Sequence, residues 1–169
     1  MSAPNIFLII AIVCVGLMSG LFFSYTCSVM PGLSRLDDFQ YLSSLQSINR
    51  AIQNPVFFIV FFGVLITLPI ATYLKYSQPV SASFWFLLAA TIIYYLGAFL
   101  VTAIGNIPLN NSLDRIELAT ATKESLLSQR KIFEGKWTSL NLIRTVCSLL
   151  SFICSLLAFL SNTELKRPI

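Results

Sequence analysis

The sequence predicts an all-α integral membrane protein: a four-helix bundle with an amphipathic helix between spans 1 and 2 and an extramembrane helical segment between spans 3 and 4. Two observations carry this prediction. Hydrophobic residues make up 56% of the 169 positions and charged residues only 11%, where soluble domains average about 25% charged. The charges also leave four long gaps: before Arg35, from Arg50 to Lys75, from Lys75 to Asp114 and from Arg144 to Glu164. Each gap can cross roughly 30 Å of hydrocarbon, which takes about 20 helical residues. The chain therefore reads as a single membrane domain, 1–169, with spans at about 5–30, 55–74, 84–105 and 138–161.

Span 1 is longer than the apolar core of a secretory signal and lacks a basic segment before it, so it reads as a retained helix. It is expected to stop at Met30-Pro31-Gly32. Gly16, Gly20, Ser24 and Ser28 recur every four residues, a stripe of small side chains suited to close helix packing within the bundle, with a homodimer contact as the alternative. In 36–53, Asp37 caps a helix and Gln40 completes a capping box. Tyr41, Leu45, Ile48 and Ile52 then form one face, and Gln46, Asn49, Arg50 and Gln53 the opposite one. This segment either lies at the interface or extends into span 2.

Span 2 contains Pro69 and is expected to kink there. A short turn, 75–83, leads to span 3, which is expected to break or kink around Asn106-Ile107-Pro108. The stretch 112–136 is polar with helical periodicity and reads as a helix standing out of the membrane. Its Arg130 and Glu134 are spaced as an ordinary solvated pair. Span 4 begins next to Trp137, at an interfacial position, and the tail from Glu164 to Ile169 is expected to be mobile.

Topology follows from the loop charges. Seven Lys and Arg residues (Arg35, Arg50, Arg115, Lys123, Arg130, Lys131, Lys136) flank spans on one side, against Lys75, Lys166 and Arg167 on the other. The positive-inside rule places loops 31–54 and 106–137 in the cytoplasm and both termini outside.

Composition also excludes functions. The net charge of +4 belongs to residues flanking spans, not to an aromatic-interleaved patch, so no nucleic acid is expected. The chain has no histidine, which removes His-ligated haem, His-containing metal sites and any His-activated nucleophile. Cys14, Cys27, Cys147 and Cys154 all fall in spans without a CxxC pair and read as inert small hydrophobes. Every carboxylate lies in a loop, cap or tail, and no phosphate-binding glycine loop is present. Neither a metal nor a cofactor is expected, and no catalytic residue is assigned.

What remains is a concentration of polar residues at one membrane face. Asn49, Arg50 and Asn54 precede span 2; Asn106, Asn110 and Asn111 end span 3; Trp137, Asn141 and Arg144 open span 4. The last three are spaced i, i+4, i+7 and share a helix side, with Ser148, Ser151 and Ser155 below them. Thr91, Tyr95, Thr102 and Asn106 form a second stripe. Polar groups in spans face inward, because an arginine at a helix centre costs about 2.5–3.5 kcal/mol. If both stripes face inward, they line a cavity. Carboxamides beside a guanidinium suit an anionic or a carbonyl- or phenol-bearing ligand. The alternative is that the asparagines cap helices and cross-link the bundle.

These segments carry a resemblance. GLFFSYTCSVMPGL (20–33), SINRAIQNPVF (47–57), GNIPLNNSL (105–113) and KWTSLNLIRT (136–145) resemble, in order and spacing, the anthrone oxygenase-like family of small membrane proteins. The resemblance implies oxidation of anthrones to anthraquinones by dioxygen without metal or flavin. It also implies that Asn49, Arg50, Asn106, Pro108, Asn110, Asn111, Trp137, Asn141 and Arg144 match the family's polar motifs. Relatives often carry a histidine where this chain has Leu142, a departure that weakens a general-base role there. Two functions are expected to compete: cofactor-independent oxidation or binding of a lipid-soluble aromatic or quinone-like molecule, and a non-catalytic subunit of a larger membrane complex. A small transporter is disfavoured, since no charge lies at mid-membrane. Expected partners are membrane lipid, the aromatic ligand, and a second copy or another membrane subunit.

Overall fold

The computed structural model describes residues 2–77 and 79–164, the last three by backbone alone. Its elements are helices: α1 (Ala3–Leu33), α2 (Asp38–Ala51), α3 (Pro55–Leu74), α4 (Ala82–Asp114) and α5 (Lys123–Glu164). Four of them, all but α2, are long and apolar enough to cross a membrane. Their outer surfaces are apolar as well. Val56 is 73% exposed, Ile59 72% and Ile104 70%, an apolar belt that a water-soluble monomer does not carry. This is the pattern of a multi-pass membrane protein.

Helix starts follow the sequence. Asp37 accepts a hydrogen bond from the Gln40 amide at 2.8 Å to cap α2, Asn54 caps α3 through the Phe57 amide, and Ser81 caps α4 through the Phe84 amide.

Helix α1 ends at Leu33, two residues past Pro31, as expected, whereas α4 runs on past Pro108 to Asp114 without a break. Each proline is preceded by a π-helical stretch, Tyr25–Val29 in α1 and Thr102–Asn106 in α4, after which α-helix resumes. A proline ring clashes with the carbonyl four residues back and cannot donate to it. Widening the preceding turn is how a membrane helix accommodates that. At Pro69 the freed acceptor is Leu65 O, and the Tyr95 hydroxyl from α4 donates to it. The expected helical segment 112–136 is present with a narrower extent. Its first residues finish α4, a turn follows, and the rest is continuous with span 4 in a 42-residue α5, roughly 63 Å long at 1.5 Å per residue. Its N-terminal third stands beyond the bundle and forms the extramembrane segment.

Two apolar clusters result. The larger lies within the bundle, around Leu8, Val15, Val64, Leu68, Leu87 and Tyr94. Glycines set its close approaches: a methyl on Gly97 would collide with Cys147, and one on Gly16 would sit 3.0 Å from the Phe152 ring. Gly20, on the same predicted stripe as Gly16, meets nothing within 4 Å. Polar side chains cross-link the interior. Ser151 donates to Ala90 O at 2.8 Å, Ser83 to Ala158 O at 2.9 Å, and the Thr72 and Thr91 hydroxyls pair at 3.0 Å.

The smaller cluster caps one end, where Tyr41, Leu42 and Leu45 of α2 pack on Leu113, Leu126, Phe133 and Trp137. Arg130 fastens it. Far from being an ordinary solvated residue, its side chain is 14% exposed. It donates to Ser34 O at 2.7 Å and Leu36 O at 2.8 Å, pairs with Asp38 and Glu134 at 3.0 Å each, and lies over the Tyr41 ring. Burial pushes the Tyr41 phenol well above its usual range; Glu134 adds to the shift and Arg130 opposes it. The tail charges Lys166 and Arg167 lie outside the described residues.

Candidate functional site

Where the two clusters meet, α1 to α5 enclose a cavity of about 430 Å³, within the usual range for small-molecule sites. The π-helical stretches converge on it. Tyr25 begins the one in α1; Phe99, Thr102 and Asn106 come from those in α4, Tyr95–Leu100 and Thr102–Asn106. Such turns re-aim side chains relative to regular helix and recur at functional sites.

Arg144 forms the closed end. It is 7% exposed, donates to the Asn141 Oδ1 at 2.8 Å and the Thr102 hydroxyl at 3.3 Å, and its guanidinium faces the rings of Phe22 at 4.6 Å and Trp137 at 5.3 Å. Among the described residues no carboxylate pairs with it. Asn141 holds its orientation: its Nδ2 donates to Phe22 O at 3.1 Å and to the Thr26 hydroxyl at 2.9 Å, and Thr26 pairs in turn with Thr145.

Several buried polar atoms here have no hydrogen-bond partner among the described residues: Arg144 Nε, both side-chain atoms of Asn106, and Asn49 Nδ2. Each unsatisfied buried group costs about 1–3 kcal/mol, and the protein gathers these at one place. All three residues line the cavity. The remaining lining is aromatic: Phe22, Tyr25, Phe57, Phe58, Phe61, Phe62 and Phe99, with Trp137 fixed by a 2.9 Å bond to Asn110 and packed on Tyr25. Tyr25 and Arg144 are the titratable groups of the wall.

Of the nine residues singled out in the sequence, Asn49, Asn106, Asn110, Asn111, Trp137 and Arg144 line the cavity. Asn141 stands directly behind Arg144. Arg50 and Asn54 point elsewhere: Arg50 makes an exposed ion pair with Asp114 at 2.6 Å, and Asn54 is the cap of α3. The deeper serines, Ser148, Ser151 and Ser155, are packed in the bundle interior and do not reach the cavity. Leu142 is 50% exposed on the outside of α5, so a histidine at that position would not project into this cavity. The aromatic wall was not singled out residue by residue, although the Phe57-Phe58-Phe61-Phe62 spacing on one side of a span is a visible signal.

A family model described as anthrone oxygenase matches residues 56–154, a stretch that includes Asn106, Asn110, Asn111, Trp137, Asn141 and Arg144 and excludes Asn49, Arg50 and Asn54. No curated protein and no solved structure matches the chain.

Proposed function

Because the chain belongs to the anthrone oxygenase family, we propose that its cavity binds a lipid-soluble hydroxyaromatic or quinone-like molecule and oxidises it with dioxygen. The observation that supports this most is Arg144: a buried guanidinium facing an aromatic cavity, with no carboxylate partner among the described residues. A buried cation without a counter-charge favours an anion, or a group that becomes one, as its ligand. An anthrone-like methylene ionises to an enolate whose charge rests on the ring oxygen. Arg144 Nε and the Asn49 and Asn106 carboxamides would hold that oxygen, while the phenylalanines and Trp137 pack on the rings.

The reaction then balances without another redox partner. The enolate carbon adds dioxygen, and the released proton ends on the distal oxygen to give a hydroperoxide. Loss of the second C–H proton with cleavage of the O–O bond leaves a carbonyl and water. The wall contains no carboxylate or imidazole, so the substrate's acidity has to be raised by Arg144 electrostatics more than by a strong base.

Oxygen uptake by the detergent-purified protein with a panel of anthrones, quinols and phenols is the test. Arg144→Ala and Asn106→Ala should each weaken ligand retention by roughly 10-fold to 150-fold, the loss of one charge-assisted or buried hydrogen bond. Absence of both uptake and retention across the panel would refute the proposal. Retention without uptake would leave a binding subunit.

We also place the cavity's face, with loops 31–54 and 106–137, in the cytoplasm, on the strength of the seven-to-three excess of flanking Lys and Arg. A cysteine at Thr120 should react with a membrane-impermeant maleimide only after cells are permeabilised, and one at Ser77 in intact cells. The opposite pattern would invert the topology.

A further inference from the structure

Resting on that reading of the cavity, we infer that its ligand carries a hydrocarbon tail on the side opposite its oxygen, and that the tail leaves the protein between α3 and α4 into the surrounding bilayer. The buried end of the cavity is polar, and one side of its exposed rim is apolar. Arg144 and Asn106, 7% and 1% exposed, sit at the closed end. At the open end stand Phe58 and Phe62 of α3, 39% and 48% exposed, and Ile107 of α4, 45% exposed. The same three side chains line the cavity and belong to the apolar outer surface of the bundle, so on their side the opening gives onto hydrocarbon; the other exposed lining residues, Gln53 and Asn111, are polar.

The two helices bordering the opening form a wedge. Near their short connection they are joined by the Thr72–Thr91 hydroxyl pair at 3.0 Å and the Tyr95 bond to Leu65 O. Phe61 and Phe99 close the angle with ring centres 5.9 Å apart. Past that contact the cavity separates α3 from the end of α4. A molecule arriving through this gap reaches the unpaired donors oxygen first, and its opposite end remains at the gap. A tail there stays in an apolar medium and needs no room inside the protein. A tail beside the oxygen would be driven into the packed Phe22 and Trp137 rings, which are 4% and 3% exposed.

Three probes decide this with the full-length protein in detergent, read by native mass spectrometry: a plain naphthol, a naphthol with a decyl tail on the ring remote from the hydroxyl, and one with the tail beside the hydroxyl. The plain and remote-tailed naphthols should be retained and the adjacent-tailed one rejected. Phe58→Ala combined with Phe62→Ala should weaken the remote-tailed probe at least about fivefold more than it weakens the plain naphthol, through lost contact with the tail. Binding of the plain naphthol with rejection of the remote-tailed one would overturn the tail and keep the proposed function. Equal tolerance of both tail positions, or an equal effect of the double substitution on plain and tailed probes, would overturn the exit route. Failure of every naphthol to bind would overturn the function and the tail together.

Discussion

Arg144 and Asn141 lie three residues apart on α5, and they divide one task. Arg144 offers charge to the cavity; Asn141 fixes where that charge points, through one bond forward to the guanidinium and two backward to Phe22 O and Thr26. Asn141→Asp preserves the shape but sets a carboxylate 2.8 Å from Arg144. The guanidinium would then have its counter-charge inside the protein. A phenolate ligand should lose roughly tenfold of its advantage over a neutral quinone of the same shape, about 1.4 kcal/mol. Competition binding of the two measures that ratio, and an unchanged ratio would mean that Arg144 does not select for charge. At this scale the sequence was informative where spacing decides direction: Trp137, Asn141 and Arg144 at i, i+4, i+7 share a helix side. It was uninformative where adjacency misleads. Asn49 and Arg50 are neighbours, yet a helix turns each residue about 100° from the last, which leaves Asn49 in the cavity wall and Arg50 in an exposed pair with Asp114. The phenylalanines were hidden by a different cause, since an apolar residue in a span faces lipid or cavity with the same hydrophobicity.

The helices themselves were legible from the charge gaps and caps, but their interruptions were not. Pro31 read as a stop, and α1 does end two residues past it; Pro108 read as a break or kink because a proline inside a helix removes a hydrogen bond and clashes with the preceding turn. In an apolar surrounding a broken helix leaves backbone groups unbonded, so the chain widens a turn and continues. Those widened turns are also what bring Tyr25 and Asn106 to the cavity. Pro69 shows a second remedy, a hydroxyl borrowed from the neighbouring helix. The pairing predicts a coupling: Tyr95→Phe should cost about 1–2 kcal/mol while Pro69 is present, because Leu65 O loses its donor. In a Pro69→Ala background the restored amide can donate to that carbonyl, and the cost of Tyr95→Phe should fall. A double-mutant cycle on unfolding in mixed micelles gives the coupling energy. Equal costs in the two backgrounds would show that the tyrosine hydroxyl does not replace the missing amide.

On the scale of the whole molecule, the protein is a bundle with a lid of α2 and the first turns of α5, and the cavity lies at their seam. The bundle is held by the contact of four long helices, whereas the lid has a smaller cluster and a short connection on each side. Arg130 supplies the lid's polar fastening, with two backbone carbonyls, two carboxylates and the Tyr41 ring all on one side chain. Removing it should therefore loosen the lid without unfolding the bundle. The side chain is mostly buried and its bonds are charge-assisted, so Arg130→Ala should destabilise the lid locally by about 2 kcal/mol. That corresponds to roughly 30-fold faster amide hydrogen exchange across Asp38–Ala51, with exchange in the buried turns of α3 and α4 unchanged. Because Asn49 is on α2, ligand retention should weaken in the same variant even though Arg130 is not among the residues that line the cavity. Uniform acceleration throughout the chain would mean that lid and bundle unfold as one unit, and that the seam is no weaker than the core.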